Sequence, residues 1–238
     1  MSQDNNILLF GNGHLGSFIL QQIPQIKWTS RSKKEGIKFN LDYFENFLMP
    51  KYLKTIIWSI PPSEKTIAFL KTLPTDLQVI LISSTSVFSS GHINSETEKS
   101  PITKNAIILN EVESFIQKRF SKKIIIRPGG LVDDIRHPKK NFRHSKEIKN
   151  SHHSPNLIHT EDVARFISFC VDKSINQGEF NLVAPMEHTK KEFYGQFLIQ
   201  KNINFLTDNS LAKSFDISWM KKIKFTLKYP DLFDYFKK

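Results

Sequence analysis

The sequence predicts an α/β fold, in which helices cover both faces of a doubly wound parallel sheet and a small C-terminal cap completes the chain. Three observations support this prediction. Apolar runs of strand length alternate with helical patterns through most of the chain. The first run, residues 7–10, leads through a glycine-rich turn into a helical pattern. No internal repeat replaces this alternation.

The composition of the 238-residue chain is ordinary for a globular protein, with 39% hydrophobic and 24% charged residues. Its one cysteine, Cys170, lies in an apolar helical stretch, which predicts a buried thiol rather than a disulfide or a zinc site. Residues 1–6 lack the pattern of a signal peptide, and no apolar run is long enough to cross a bilayer. These features predict a cytoplasmic protein without a membrane partner.

The formal net charge is +11, which raises the question of nucleic-acid binding. The basic residues are mostly lysines spread along the whole chain, and arginine is scarce. Such a spread does not form a binding stripe, so no nucleic-acid partner is expected. Attraction of phosphorylated small molecules explains the charge better.

Residues 11–16 read GNGHLG, a Gly-x-Gly-x-x-Gly turn between a predicted strand and a predicted helix. This order is typical of a Rossmann dinucleotide-binding fold, although a plain glycine-rich turn is the alternative. The first glycine would form the tight turn, the second would let the backbone approach a pyrophosphate, and the third would let the helix pack on the strand. The free N–H groups of the helix would face the phosphates. The predicted pyrophosphate site comprises Gly11, Asn12, Gly13, His14, Leu15 and Gly16.

The exit of the second predicted strand indicates which dinucleotide is bound. NAD-selective Rossmann folds carry an acidic residue about 20 residues beyond the glycines, where it binds the ribose 2′-hydroxyl. Here no acid precedes Glu35, and Ser30, Arg31 and Ser32 occupy the position. A cationic, hydroxyl-rich group suits a 2′-phosphate, so NADP is favoured over NAD; a solvated basic turn is the alternative.

The remaining patterns complete the predicted sheet. Further strands are expected at residues 37–42, 55–60, 77–82, 123–127 and 178–183. Residues 43–54 are predicted to form a helical crossover broken by Pro50. Residues 131–155 are polar and irregular, which is typical of a functional or mobile loop. The predicted Rossmann core covers residues 1–130 and is completed by about 157–184, and residues 131–156 and 185–238 form the predicted substrate-binding cap.

Four later segments resemble, in order, the extended short-chain dehydrogenase/reductases of the NAD-dependent epimerase/dehydratase family. They are the serine-rich strand end ISSTSVF (82–88), RPGGLV (127–132), IHTEDVA (158–164) and GEFNL (178–182). The resemblance extends from residue 7 to about residue 232 and is closest to short, atypical members.

This resemblance implies roles for further residues. Ser84 would hydrogen-bond a substrate carbonyl beside the nicotinamide, although a serine that satisfies backbone groups at the strand end is an equal alternative. Asp42 would meet the adenine edge. Further cofactor contacts are expected from Ser59, Ile60, Pro61 and Arg127. Substrate contacts are expected from Ser84, Thr85, Arg136 and Arg143, with a phosphorylated or nucleotide-linked small molecule as the substrate class.

One departure from the family is equally informative. Catalytic members carry Tyr-x-x-x-Lys on the helix after the fifth strand, and here Asn105 and Leu109 stand at those positions. Neither side chain can transfer a proton. Two functions therefore remain: an enzyme of the oxidoreductase or epimerase type with a substitute group, for which His144 and Tyr194 are candidates, or a non-catalytic module that senses NADP(H).

The histidines do not predict a metal site. Their spacing fits no standard zinc pattern, and no cysteine lies near them. The histidines considered are His137, His144, His152, His153 and His159. The Phe-rich tail, residues 215–236, predicts either cap core or the surface of a homodimer.

Overall fold

The computed structural model describes residues 6–32, 35–51, 53–142, 147–198 and 202–237. Its strands are β1 (Ile7–Phe10), β2 (Lys27–Ser30), β3 (Ile37–Lys38), β4 (Thr55–Trp58), β5 (Gln78–Ile82), β6 (Gly91–Ile93), β7 (Lys122–Pro128), β8 (Gly130–Val132), β9 (Glu147–Ile148), β10 (Leu157–His159), β11 (Gln177–Leu182), β12 (Asn204–Phe205) and β13 (Lys213–Phe215). Its α-helices are α1 (His14–Gln22), α2 (Thr66–Lys71), α3 (Lys104–Arg119), α4 (Thr160–Asp172), α5 (Lys190–Leu198), α6 (Trp219–Lys222) and α7 (Leu232–Tyr235).

Among the described residues, seven strands form the central sheet in the order β11-β7-β5-β4-β1-β2-β3. Every neighbouring pair in it is parallel. The chain runs outward from β1 to β3 on one side and then crosses back to β4 on the other, so the connections change direction between β1 and β4. Ligands of open α/β sheets bind at the carboxyl ends of the strands beside such a switch point. The predicted Rossmann-like sheet is confirmed.

The central strands are apolar on both faces because both faces are covered. In β1, Ile7 and Leu9 belong to the core cluster that includes α1 and α4, whereas Leu8 and Phe10 belong to the cluster that includes α2 and α3. All four side chains are at most 4% exposed. A continuous apolar run is the pattern expected of a parallel strand buried between two helical layers.

The predicted helical crossover over residues 43–54 is wrong for its described residues, which leave out residue 52. A 3-10 segment, Leu41–Asn46, begins where the Asn40 side chain accepts a hydrogen bond from the Asp42 N–H, and Tyr43 inside it has non-helical angles. Phe44 and Phe47 pack against the core, three residues apart. This packing and the Asn40 cap accompany a short 3-10 turn in place of the predicted longer helix.

Within the described ranges, three short parallel pairs lie outside the central sheet: β8 with β10, β9 with β12, and β6 with β13. Two of them bring residues 204–215 onto earlier parts of the chain. The stretch predicted to be irregular, residues 131–155, therefore contributes strand β9 and the last residues of β8. In the described parts of the chain, no helix is long and apolar enough to cross a membrane.

Candidate functional site

The turn after β1 has the shape that its glycines predict. Gly11 has φ +98°, a conformation that L side chains rarely adopt. A Cβ atom on Gly11 would lie 3.1 Å from the carbonyl carbon and oxygen of Ser59. Both the backbone angle and the close approach to the end of β4 therefore require glycine here.

The next two glycines differ in what surrounds them. A Cβ atom on Gly16 would lie 2.3 Å from the Gly11 carbonyl oxygen, so this glycine allows α1 to pack directly on the turn. A Cβ atom on Gly13 would meet no described atom within 4 Å. Gly13 is the N-cap of α1, and within the part of the chain that the structure describes no side chain caps the helix. The open space therefore lies at a helix N-terminus, where backbone N–H groups and the helix dipole favour an anion.

Two further residues of the turn, Leu15 and Asn12, have buried side-chain atoms. Leu15 is buried in the core cluster under α1, so only its backbone is available to a ligand. The Asn12 Oδ1 atom is buried and has no hydrogen-bond partner among the described residues. Buried polar atoms are rarely left unpaired, so an unpaired atom beside this turn fits a cradle that a polar ligand completes.

The residues after β4 meet the glycine turn. The Ser59 N–H donates to the Phe10 carbonyl at 2.9 Å, which continues the pairing of β4 with β1. The Ile60 side chain lies 3.2 Å from the position of a Cβ on Gly11. The structure therefore brings Ser59 and Ile60, with the exposed Pro61 after them, to the same end of the sheet as the glycine turn.

The exit of β2 is exposed and basic. The Ser32 N–H donates to the Ser30 Oγ at 3.3 Å, and Arg31 is exposed between them. The Asp42 Oδ1 accepts a hydrogen bond from the Lys65 Nζ at 2.7 Å. This bond and the charge of Lys65 lower the pKa of Asp42, and the charge of Arg31 lowers it further. Arg31 and Asp42 therefore lie close enough to interact.

The serine after β5 has a structural role. The Ser84 Oγ accepts the Ser86 N–H at 3.1 Å and caps the short 3-10 turn Thr85–Val87. This is the strand-end alternative that the sequence left open, and it leaves the hydroxyl hydrogen of the half-buried Ser84 available to donate. Thr85 is only 6% exposed, and its carbonyl accepts a bond from Lys213. Its contact with a substrate stays a prediction.

Asn105 and Leu109, which the resemblance predicts at the positions of a proton-transfer pair, lie in different surroundings. Asn105 is exposed in the first turn of α3. Leu109, one turn later, is buried in an apolar cluster. The other buried members of that cluster are Val87, Phe88, Ile93, Val183 and Phe215. Apolar packing therefore surrounds Leu109, whereas Asn105 faces solvent.

Arg127 was predicted to contact the cofactor, but the structure gives its guanidinium other partners. Its Nη2 donates to the Glu113 Oε2 at 2.7 Å, and it also bonds Glu179. Arg127 and Glu113 are 3% and 0% exposed. The bonds and charges of both glutamates raise the pKa of Arg127 although burial alone would lower it. Arg127 therefore stabilises the β7–α3 contact, and a cavity of about 950 Å³ opens beside it.

Sequence reasoning missed Asp133, which lies just after β8 and is 3% exposed. Its Oδ2 lies 2.6 Å from the His14 Nε2, and it also accepts a bond from the Thr160 hydroxyl. Burial raises the pKa of Asp133, but the bonds from Thr160, the Arg136 backbone and His14 outweigh burial and lower it. The signal available in the sequence was an acidic pair, Asp133 and Asp134, directly after a strand end.

The remaining predicted residues are dispersed. Arg136 is exposed in the loop after Asp133, whereas Arg143 and His144 lie outside the described residues. Burial raises the pKa of Tyr194 to about 12, which argues against its predicted use as an acid–base group near neutral pH. In the described parts of the chain, no group of three or more His, Cys, Asp or Glu side chains is placed to hold a metal ion.

Comparison with solved structures identifies the fold. The human epimerase family protein SDR39U1, solved with NADPH, has a TM-score of 0.74 and 12% identity, covering 97% of each chain. The UDP-N-acetylglucosamine 4-epimerase of Methanobrevibacter ruminantium M1, solved with UDP-N-acetylmuramic acid, has a TM-score of 0.73 and 16% identity, covering 99% of this chain and 97% of that one. The chain has the epimerase/dehydratase fold. The resemblance predicted from its motifs is thereby confirmed at the level of the fold.

One further solved structure and one curated protein are also similar to the chain. MoeE5, solved with UDP-glucose and NAD, has a TM-score of 0.72 and 12% identity, covering 97% of this chain and 95% of that one. Among curated proteins, YeeZ of Escherichia coli K12 is 28% identical over 163 residues, which are 65% of this chain and 59% of YeeZ. The match therefore spans less than two thirds of YeeZ. No protein-family model matches the chain.

Proposed function

We propose that this protein binds a nicotinamide dinucleotide at the glycine turn and prefers NADP(H). The observation that carries the proposal is the uncapped N-terminus of α1, with open space over Gly13 and α1 packed tightly at Gly16. An anion cradle of this kind at the switch point of a parallel sheet suits a pyrophosphate. Two neighbours in fold, SDR39U1 and MoeE5, were solved with NADPH and NAD.

The proposal assigns each part of the site to one part of the ligand. The backbone of residues 11–16 holds the pyrophosphate, and residues 59–61 lie under the second ribose. Ser30, Arg31 and Ser32 take the 2′-phosphate, because a guanidinium and two hydroxyls supply donors and the nearby Asp42 is already paired with Lys65. The Asp42 Oδ1 already accepts a hydrogen bond from Lys65, so we assign the Asp42 Oδ2 to the adenine edge.

The substrate class follows from charge and from the neighbours. We propose an anionic or nucleotide-linked small molecule, with Arg136 as the contact for its anionic part. Bound nicotinamide would supply or accept a hydride at the substrate. Ser84 retains a hydroxyl hydrogen that can donate to a substrate carbonyl, which favours an enzyme. The predicted cytoplasmic location belongs to this proposal.

A second candidate function is a non-catalytic module that senses NADP(H). The burial of Leu109 in an apolar cluster favours it, because no proton-transfer group can stand at that position. The tyrosines favour it as well. The pKa values of Tyr229 and Tyr235 are raised by burial and by their hydrogen bonds to carboxylates, for Tyr235 to about 12. Raised pKa values are the opposite of what a tyrosine base needs.

Calorimetric titration with NADPH, NADP, NADH and NAD tests the binding proposal. Gly13→Val should fold normally, because a Cβ atom there meets no described atom within 4 Å, and it should abolish binding by filling the pyrophosphate position. Gly195→Ala is the matched control, since Gly195 also has open space around it but lies in α5. Arg31→Ala should weaken the binding of NADPH and leave the affinity for NADH unchanged. No binding of any dinucleotide by the natural chain would overturn the proposal.

Turnover separates the two candidate functions. A panel of nucleotide sugars is offered to the NADPH-bound protein, and loss of NADPH absorbance is followed. Turnover that Ser84→Ala abolishes would support the enzyme. Tight NADPH binding without turnover of any member of the panel would favour the sensing module.

A further inference from the structure

The carboxylate of Asp133 stands between the glycine turn and the loop after β8. It is buried at the exit of β8, and each of its oxygens bonds a different segment. An ionised carboxylate only accepts hydrogen bonds, so every partner donates to it. Removing one partner would therefore leave a buried charge short of a donor, which is costly.

The Oδ2 atom bonds the glycine turn. The His14 Nε2 lies 2.6 Å from it, and the Thr160 hydroxyl donates to it as well. His14 is the first residue of α1, directly after the N-cap residue Gly13. Its ring is mostly buried, with 15% of the side chain exposed. The ring of His14 thus links the start of α1 to a fixed carboxylate 119 residues away.

The Oδ1 atom bonds the loop after β8. It accepts the Ile135 N–H at 2.9 Å and the Arg136 N–H at 2.8 Å. The loop is closed further by Lys140, whose Nζ donates to the Ile135 carbonyl at 2.6 Å. The conformation of residues 134–140 therefore depends on where the Asp133 carboxylate lies, and Arg136 projects from that loop in an exposed position.

We infer that Asp133 is a positioning residue that transmits dinucleotide binding at the glycine turn, through His14, to the loop that carries Arg136. The inference rests on the proposed function. A phosphate at the start of α1 fixes the position of His14, His14 fixes the Oδ2 of Asp133, and the rigid carboxylate fixes the loop bonded to its other oxygen. By thermodynamic reciprocity, an anion bound by the Arg136 loop then strengthens binding of the dinucleotide.

Hydrogen exchange of the Ile135 and Arg136 amides tests the inference, because these N–H groups donate directly to Asp133. Exchange is measured with and without NADPH, at a concentration that saturates each variant as judged by calorimetry. In the natural chain, NADPH should slow both amides by about tenfold, as expected when hydrogen bonds to a charged group become better ordered.

Two variants and one control make the test specific. His14→Phe keeps an aromatic ring beside Phe18 but removes the bond to Asp133, and Asp133→Ala removes the carboxylate. Neither variant should show NADPH-dependent slowing. Asp134→Ala is the control, because Asp134 is exposed and bonds the Tyr235 hydroxyl instead. It should retain the slowing of the natural chain.

The outcomes separate the two proposals. Slowing that persists in saturated His14→Phe would overturn the inference and leave the proposed function standing. NADPH binding by the natural chain without any slowing of the two amides would do the same. Absence of dinucleotide binding by the natural chain would overturn the proposed function and this inference together. If Asp133→Ala does not fold, amide exchange in His14→Phe alone decides whether the inference holds.

Discussion

Replacing Glu113 by glutamine tests whether the buried charge network holds α3 to the sheet. The Glu113 Oε1 accepts the Ser83 hydroxyl at 2.5 Å, and its Oε2 accepts Arg127 at 2.7 Å and Lys99 at 2.9 Å. Glu113→Gln preserves size but removes the negative charge. Arg127, 3% exposed, would then remain beside Lys99 without its buried counter-ion.

The expected loss follows from burial. Breaking a buried ion pair by removing one partner costs about 3–5 kcal/mol. Arg127 would keep Glu179, whose side chain is 43% exposed, so we expect the lower end, about 3 kcal/mol. For a chain of this size, such a loss lowers Tm by about 6–12 °C.

Urea denaturation followed by circular dichroism measures the free energy of unfolding. Glu179→Gln is the matched control: it removes a carboxylate from the same arginine at a partly exposed position and should cost less than about 1 kcal/mol. Glu113→Leu combined with Arg127→Met should recover part of the loss, because the two most deeply buried charges are removed together and only Lys99 loses its carboxylate. Equal small losses in Glu113→Gln and Glu179→Gln would refute this reasoning.

Two further predictions concern other parts of the chain. Gly16→Ala should lower the free energy of unfolding by about 2 kcal/mol, because its Cβ would lie 2.3 Å from the Gly11 carbonyl oxygen. Gly195→Ala, where a Cβ meets nothing, should instead raise it by about 0.5–1 kcal/mol, and equal effects in chemical denaturation would contradict the assigned packing. Burial raises the pKa of the Cys170 thiol to about 12, so a thiol reagent should label it only in denaturant. Because the unfolded thiol releases its proton at lower pH than the folded one, the contribution of Cys170 to stability should fall as pH rises above about 9, and a Cys170→Ala variant should lose less stability at that pH. Rapid labelling of the native protein would contradict this.

The sequence determined the central sheet and the glycine turn because both are encoded locally. Four consecutive apolar residues in β1 indicate a strand buried on both faces, and the alternation of such strands with helices indicates parallel pairing. The turn was predictable because each glycine answers a local demand: a positive φ at Gly11, access at Gly13 and close packing at Gly16. These demands involve residues near in sequence or on the neighbouring strand.

The tertiary structure decided which partner each polar side chain has. The sequence predicts that His14 contacts the pyrophosphate, whereas in the structure its ring bonds Asp133, 119 residues away. The sequence predicts that Arg127 contacts the cofactor, whereas in the structure it pairs with Glu113 across the contact between β7 and α3. Local spacing fixes backbone conformation, but the partner of a side chain depends on how distant elements pack and on which charges burial forces together. Such pairings follow from the assembled core and have no local pattern from which they could be predicted.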